Sequence, residues 1–177
     1  MTDFRGIPGL PRGLANNNPG NIIISGNAWA GKVPVAQNTD GTFEQFTSLE
    51  YGIRAMGENI YNILQNGAGT LTDLITTYAP PSQNDTASYI NTVATDTGLD
   101  PNTPVDLSAA NLQAIATAMM GVECGVAAFT ANVTTAMVQA GLSLMNSSIL
   151  TDIGNFITTN PGMSGAVAVA FFFWQFF

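Results

Sequence analysis

SAANLQAIATAMMGVECG, residues 108–125, is the stretch that decides how the rest of the chain is read. Ser108 is a good helix N-cap and Gly125 a C-terminal stop, so the run predicts one helix of four to five turns. Leu112, Ala116, Met119 and Glu123 recur at i, i+4, i+7 and i+11 and share a face. Glu123 is the one charged residue between Leu107 and Thr151. No basic residue follows Arg54, so no cation lies near it in sequence. An unpaired carboxylate on an apolar helix face has a raised pKa, because burial penalises its charged form. A general acid working near neutral pH needs that property. A glutamate near a helix end, facing a cleft, is also the central part of a lysozyme-type site. The competing reading is a solvated, idle glutamate, and the helix C-terminus disfavours negative charge in either case.

Upstream, Ser48 opens another helical pattern, with Tyr51, Ile53, Met56, Ile60, Ile63 and Leu64 at helical spacing until GAG, 67–69. TLTDLITTYA follows, starting from Thr70 or Thr72 and ending at Pro80-Pro81. A further helix is predicted over roughly 85–97, carrying Tyr89, Ile90 and Val93 and stopped by Gly98. Residues 1–20 read as loop. IIIS, 22–25, and TFEQF, 42–46, are candidate strands, with Phe43 and Phe46 facing the core. Residues 126–150 are uncharged and predicted helical. The fold class is therefore mainly α, with a small β-element.

Composition excludes several functions. Charged residues are 9 % of the 177-residue chain, against about 25 % in typical soluble proteins. The net charge is −8, and Arg5, Arg12, Lys32 and Arg54 are the whole basic complement. No phosphate-neutralising patch can be assembled from four scattered cations, so nucleic acid is excluded as a partner. Histidine is absent, which removes His-based triads and nearly all zinc sites; no metal or cofactor is implied. The lone Cys124 reads as a small buried residue. MTDFRGIPGLPRG carries no apolar signal-peptide core, so delivery outside a cytoplasm is expected to use another route than secretion.

The chain ends GMSGAVAVAFFFWQFF. This apolar run of about 15 residues is shorter than the roughly 20 that span a bilayer as a helix. It reads as a partly inserted membrane or virion anchor, as one arm of a hydrophobic hairpin with 126–150, or as core.

LANNNPGNI at 14–22 taken alone is an asparagine-rich turn. Its place in an ordered series says more. RGLANNNPGNI, WAG at 29–31, FEQFTSLEYGIRA at 43–55, TYAPPSQNDTASYI at 77–90 and VECG at 122–125 resemble a family of phage virion-associated proteins, some structural and others peptidoglycan-cutting. The resemblance covers residues 12–125. Bacterial glucosaminidases of lysozyme-like fold show a similar order, except that their glutamate helix comes first. The resemblance thus implies a circularly permuted lysozyme-like fold over 1–128, followed by a hydrophobic helical region over 129–177.

It also implies roles. Glu123 takes the general-acid position, and Tyr78 matches a tyrosine that lines the site and stabilises the transition state or positions water. Asn16, Asn17, Asn18, Asn21 and Asn84 would face sugar hydroxyls and N-acetyl groups. Apart from the resemblance, Asp40, Glu44, Glu50 and Asp85 are candidates for a second carboxylate, with Asp40 and Glu44 the leading pair, although such a residue is more often a solvated surface charge. The expected cleft lies between the β-element and the Glu123 helix. Ala15 and Ile23 stand where relatives carry arginine, and Cys124 where they carry asparagine. The implied function is a virion-associated lytic transglycosylase or muramidase/glucosaminidase, with peptidoglycan, other virion proteins and viral lipid as partners. The alternative is a non-enzymatic virion component on the same scaffold; a peptidase is disfavoured by the lack of histidine.

Overall fold

The computed structural model describes residues 1–67, 69–151 and 153. Its helices are α1 (Arg12–Ala15), α2 (Leu49–Asn66), α3 (Leu71–Tyr78), α4 (Thr86–Thr97), α5 (Ala109–Cys124), α6 (Val126–Asn132) and α7 (Thr135–Leu142). A 3-10 turn spans Val35–Gln37, and helical backbone resumes at 147–151. The architecture is mainly α-helical.

Helix ends fall where the sequence places them. Ser48 precedes α2 in extended backbone. Thr70, Asp85 and Ser108 each accept the amide of the third helical residue, capping α3, α4 and α5. Gly98 closes α4 in the left-handed region.

The core forms around α2 and α5. Leu49, Ile53, Met56 and Ile60 of α2 pack with Leu112, Ile115, Ala116, Met119 and Met120 of α5, all essentially without solvent contact. Each of the Leu, Ile and Met side chains among them contributes about 1.5–3 kcal/mol relative to exposure. α2 also packs against α7 and α3, and α4 lies on α5 and α3. Gly52 lets the 16–21 loop cross α2 at close range: a Cβ there would stand 1.8 Å from the Asn17 carbonyl oxygen.

Two expectations are corrected, the β-element and the burial of Phe43. The β-element reduces to isolated antiparallel bridges, Ile23 with Phe43 and Lys32 with Phe46. Ile24 N–H donates to Thr42 O and Glu44 N–H to Ile22 O around the first bridge, and Val33 N–H to Gln45 O and Thr47 N–H to Gly31 O around the second, without extending into a ladder. Ile23 remains 64 % exposed, so no buried face rewards a longer ladder. Phe46 is buried as expected, whereas Phe43 is half-buried beneath the Arg12 guanidinium, 4.5 Å from its ring centre. Residues 126–150 are largely helical, in separate pieces: the chain leaves the helix after Asn132, and Thr134 starts α7 afresh, its hydroxyl accepting Met137 N–H. Phe129, Val133, Val138, Leu142, Met145 and Ile153 belong to the same core cluster as α2 and α5.

Among the described residues no single helix is long and apolar enough to cross a membrane. The apolar terminal run from 163 lies outside the described residues.

Candidate active site

Glu123 stands in the last turn of α5, just before Gly125 turns the chain at φ 78°. Two donors hold its carboxylate. Tyr89 of α4 donates its hydroxyl to Oε1 at 3.0 Å, and Asn21 donates Nδ2 to Oε2 at 3.0 Å. The same Asn21 amide reaches the Glu123 carbonyl oxygen at 3.1 Å, satisfying an orphan group of the helix end. Loop and glutamate are 102 residues apart in the chain.

The loop is built to deliver Asn21. Asn17 and Asn21 both adopt left-handed backbone, at φ 52° and 49°, which asparagine tolerates better than most residues. Asn18 Nδ2 donates to the Ile22 and Glu44 carbonyls, and its Oδ1 accepts Ile22 N–H. Asn17 Oδ1 accepts Phe4 N–H, while its Nδ2 donates to Asp3 and to the Phe46 carbonyl. Asn16 Nδ2 donates to Asp40, and its Oδ1 accepts from Gln45. At Gly13 a Cβ would lie 2.8 Å from Asn21 Oδ1 and 3.1 Å from Cys124 Sγ, so the closeness of α1 and α5 requires a residue without one. Cys124 donates its thiol to the Pro19 carbonyl at 3.4 Å.

Electrostatics follow from burial. Glu123 is half-buried, and desolvation raises its pKa above the usual carboxylate value, partly opposed by the Asn21 and Tyr89 hydrogen bonds. Burial raises Tyr89 too, and the nearby Glu123 charge adds to it. The Cys124 thiol is pushed up to about 12 by burial and by Glu123, which makes it inert. All four cations are committed to ion pairs: Arg5 with Asp3, Arg12 with Asp40, Lys32 with Glu44 and Arg54 with Glu58.

An open groove of about 340 Å³ runs beside Glu123. It is lined by Asn84, Asp85, Ser88, Tyr89, Thr92, Val122 and Glu123. Asp85, Ser88, Tyr89 and Thr92 recur at i, i+3, i+4 and i+7, one polar stripe of α4. This groove lies between α4 and the end of α5.

The proposed site residues separate accordingly. Glu123 and Asn84 line the groove, and Asn21 holds Glu123. Asn16, Asn17 and Asn18 are buried with their amides engaged inside the protein, where they brace the loop. Tyr78 is absent from the groove lining: its hydroxyl donates to the Gly20 carbonyl and approaches Met56 Sδ at 3.3 Å, which fixes the loop from behind. Asp40 is held well below the usual carboxylate range by the Arg12 guanidinium, and Glu44 is fully buried against Lys32 at 2.7 Å. Neither is a groove residue; the groove's second carboxylate is Asp85, whose Oδ1 also accepts Ser88 N–H. From its sequence alone Tyr89 is a helix-face residue. Its place closing the YAPPSQNDTASY stretch was the available signal.

No protein-family model matches the chain. Over 119 residues it is 37 % identical to Protein P5 of Pseudoalteromonas phage PM2, an alignment covering 64 % of this chain and 71 % of that protein. The chain belongs to the family of Protein P5. Its relative is thus a bacteriophage protein, in keeping with the phage resemblance of the NNNPGNI and YAPP stretches.

Proposed function

We propose that the chain is a virion-associated peptidoglycan glycosidase that opens the host cell wall during phage entry, with the glycan strand lying in the α4–α5 groove. The observation that carries this reading is Glu123 itself: a half-buried carboxyl, held by two donors at the edge of an open polar groove, with every cation of the chain engaged elsewhere. Desolvation keeps its proton toward neutral pH, as a general acid requires. In this mechanism Glu123 gives that proton to the oxygen bridging MurNAc and GlcNAc. The C–O bond breaks, and its electron pair stays on that oxygen.

The acceptor then decides the product. Attack by the MurNAc 6-hydroxyl makes a 1,6-anhydro end, the lytic transglycosylase outcome. Attack by water makes a reducing end, and Asp85 is the groove carboxylate placed to activate it, in preference to Asp40 and Glu44. Asn84, Ser88 and Thr92 offer short polar groups to sugar hydroxyls. The fold reads as a permuted lysozyme-like arrangement, supported by a late glutamate helix that receives the early NPGNI loop. The particle delivers the protein, and the apolar residues 163–177 anchor it to virion proteins or viral lipid.

A second reading has its own support. Both Glu123 oxygens accept hydrogen bonds from the protein, as they would in a purely structural carboxylate. In that case the protein is a non-enzymatic virion component, since fold alone does not confer activity. Zymography on peptidoglycan separates the two, with wild type beside Glu123→Gln. Clearing by wild type alone is expected. Clearing by both proteins sinks the site assignment, and clearing by neither favours the scaffold. Mass spectrometry for 1,6-anhydro ends then distinguishes transglycosylase from hydrolase.

A further inference from the structure

Tyr89 is 7 % exposed and stands between two acceptors. Its hydroxyl oxygen lies 3.0 Å from Glu123 Oε1 and 3.3 Å from the Met119 carbonyl oxygen, one turn earlier on α5. A phenol has a single proton and cannot serve both fully at once. On the other side of the carboxylate, Asn21 Nδ2 can only donate, so Oε2 is always met by a donor.

We infer that Tyr89 is a positioning residue for the acid, whose hydroxyl turns with the protonation state of Glu123. When Glu123 is ionised, the hydroxyl donates to Oε1. When Glu123 is protonated, the hydroxyl donates to the Met119 carbonyl and accepts the carboxyl proton from Oε1. No bond to Tyr89 forms or breaks; only the O–H rotates. This inference rests on the glycosidase reading for its meaning in catalysis. As the proton leaves for the bridging oxygen, Tyr89 swings back and supplies the new carboxylate with a donor that the acid did not have. Stabilisation that appears only as charge develops lowers the barrier, in contrast to binding both states equally.

The surroundings leave this hydroxyl as an adjustable element. The other titratable groups near Glu123 are Asp85 in the groove, Tyr78 at the end of α3 and Cys124 beside it. Burial raises Tyr78 and Cys124, so both stay neutral over the working range. Asn21 carries no titrating proton.

The test is the Glu123 carboxyl titration, followed by 13C NMR on the full-length protein labelled at glutamate, with Glu123→Gln assigning the signal. Tyr89→Phe keeps the ring and removes the donor; the midpoint is expected to rise by about one pH unit. In peptidoglycan turnover the same variant is expected to lose roughly tenfold in kcat with little change in KM, and the basic limb of its pH profile moves up with the midpoint. Should Tyr89→Phe fail to fold, 3,5-difluorotyrosine at position 89 makes a stronger donor, and the midpoint is expected to fall. A midpoint that stays put in whichever variant folds overturns the inference. A moved midpoint in a protein that clears no peptidoglycan overturns the glycosidase reading while leaving the Tyr89–Glu123 coupling in place.

Discussion

Glu123 and Asp40 respond to their surroundings in opposite directions, and stability should record both signs. Burial holds the Glu123 proton on the folded chain to a higher pH than the unfolded chain, where a glutamate titrates near about 4.3. The unfolded state therefore ionises first. The contribution of neutral Glu123 is complete below the unfolded value and is lost as pH rises through the folded one. Asp40 is the reverse. Arg12, Asn16 and the amides of Thr42 and Phe43 hold its carboxylate down, so its contribution is present above an unfolded value of about 3.9 and is lost as pH falls. Melting followed by circular dichroism between pH 3 and 8 checks both. Glu123→Gln should melt level with wild type near pH 4 and above it at pH 7, whereas Asp40→Asn should lose most at pH 7 and least at pH 3. A Glu123→Gln offset constant with pH would mean that burial does not disfavour the charge. Of these two residues, sequence reading singles out Glu123 by its isolation in an apolar helix. It cannot place Asp40, because the Arg12 partner lies 28 residues away and only the folded loop joins them.

At the scale of elements, the long amphipathic stretches were legible and the contacts between them were not. α2, α3, α4 and α5 follow from apolar spacing and from Ser, Thr, Asp and Gly at their ends. The break between α6 and α7 carries no Pro, Gly or charge; Val133 turns into the core in extended backbone, and the exposed Thr134 restarts the helix as the N-cap of α7. The asparagine run shows polar amides in the sequence but not which carbonyls occupy them. Gly52 is the residue through which loop and helix meet. In an isolated helix, replacing it by Ala would gain about 1 kcal/mol. Here the added methyl would overlap the Asn17 carbonyl, which no rotamer change can relieve. Gly52→Ala should therefore cost about 2 kcal/mol net in urea unfolding, and its Asn21 contact to Glu123 should loosen with the loop. A stabilised Gly52→Ala would show that the loop does not cross α2 at this point.

For the whole molecule, the question is where the folding unit ends. The sequence motifs stop near 125, and the change to an uncharged, small-residue stretch suggests a boundary at 128. The packing argues otherwise. Val138, Leu142 and Met145 cover α2, Arg54 Nε donates to the Leu144 carbonyl at 2.7 Å, and Glu58 Oε1 accepts Asn146 N–H at 2.9 Å. Composition misleads here because a helix rich in Ala, Thr and Val looks detached until its few large residues find a partner face. Removing the six buried side chains after position 128 at about 1.5–3 kcal/mol each would remove as much as a whole domain's net stability of about 5–15 kcal/mol. It would also leave Arg54 and Glu58 without their outer partners. A chain ending at 128 should therefore show no cooperative thermal transition by calorimetry, while a chain ending at 153 should show one. If the 1–128 chain instead melted cooperatively near the full-length temperature, residues 129–153 would be an appendage, and the motif-bearing segment would be the domain by itself.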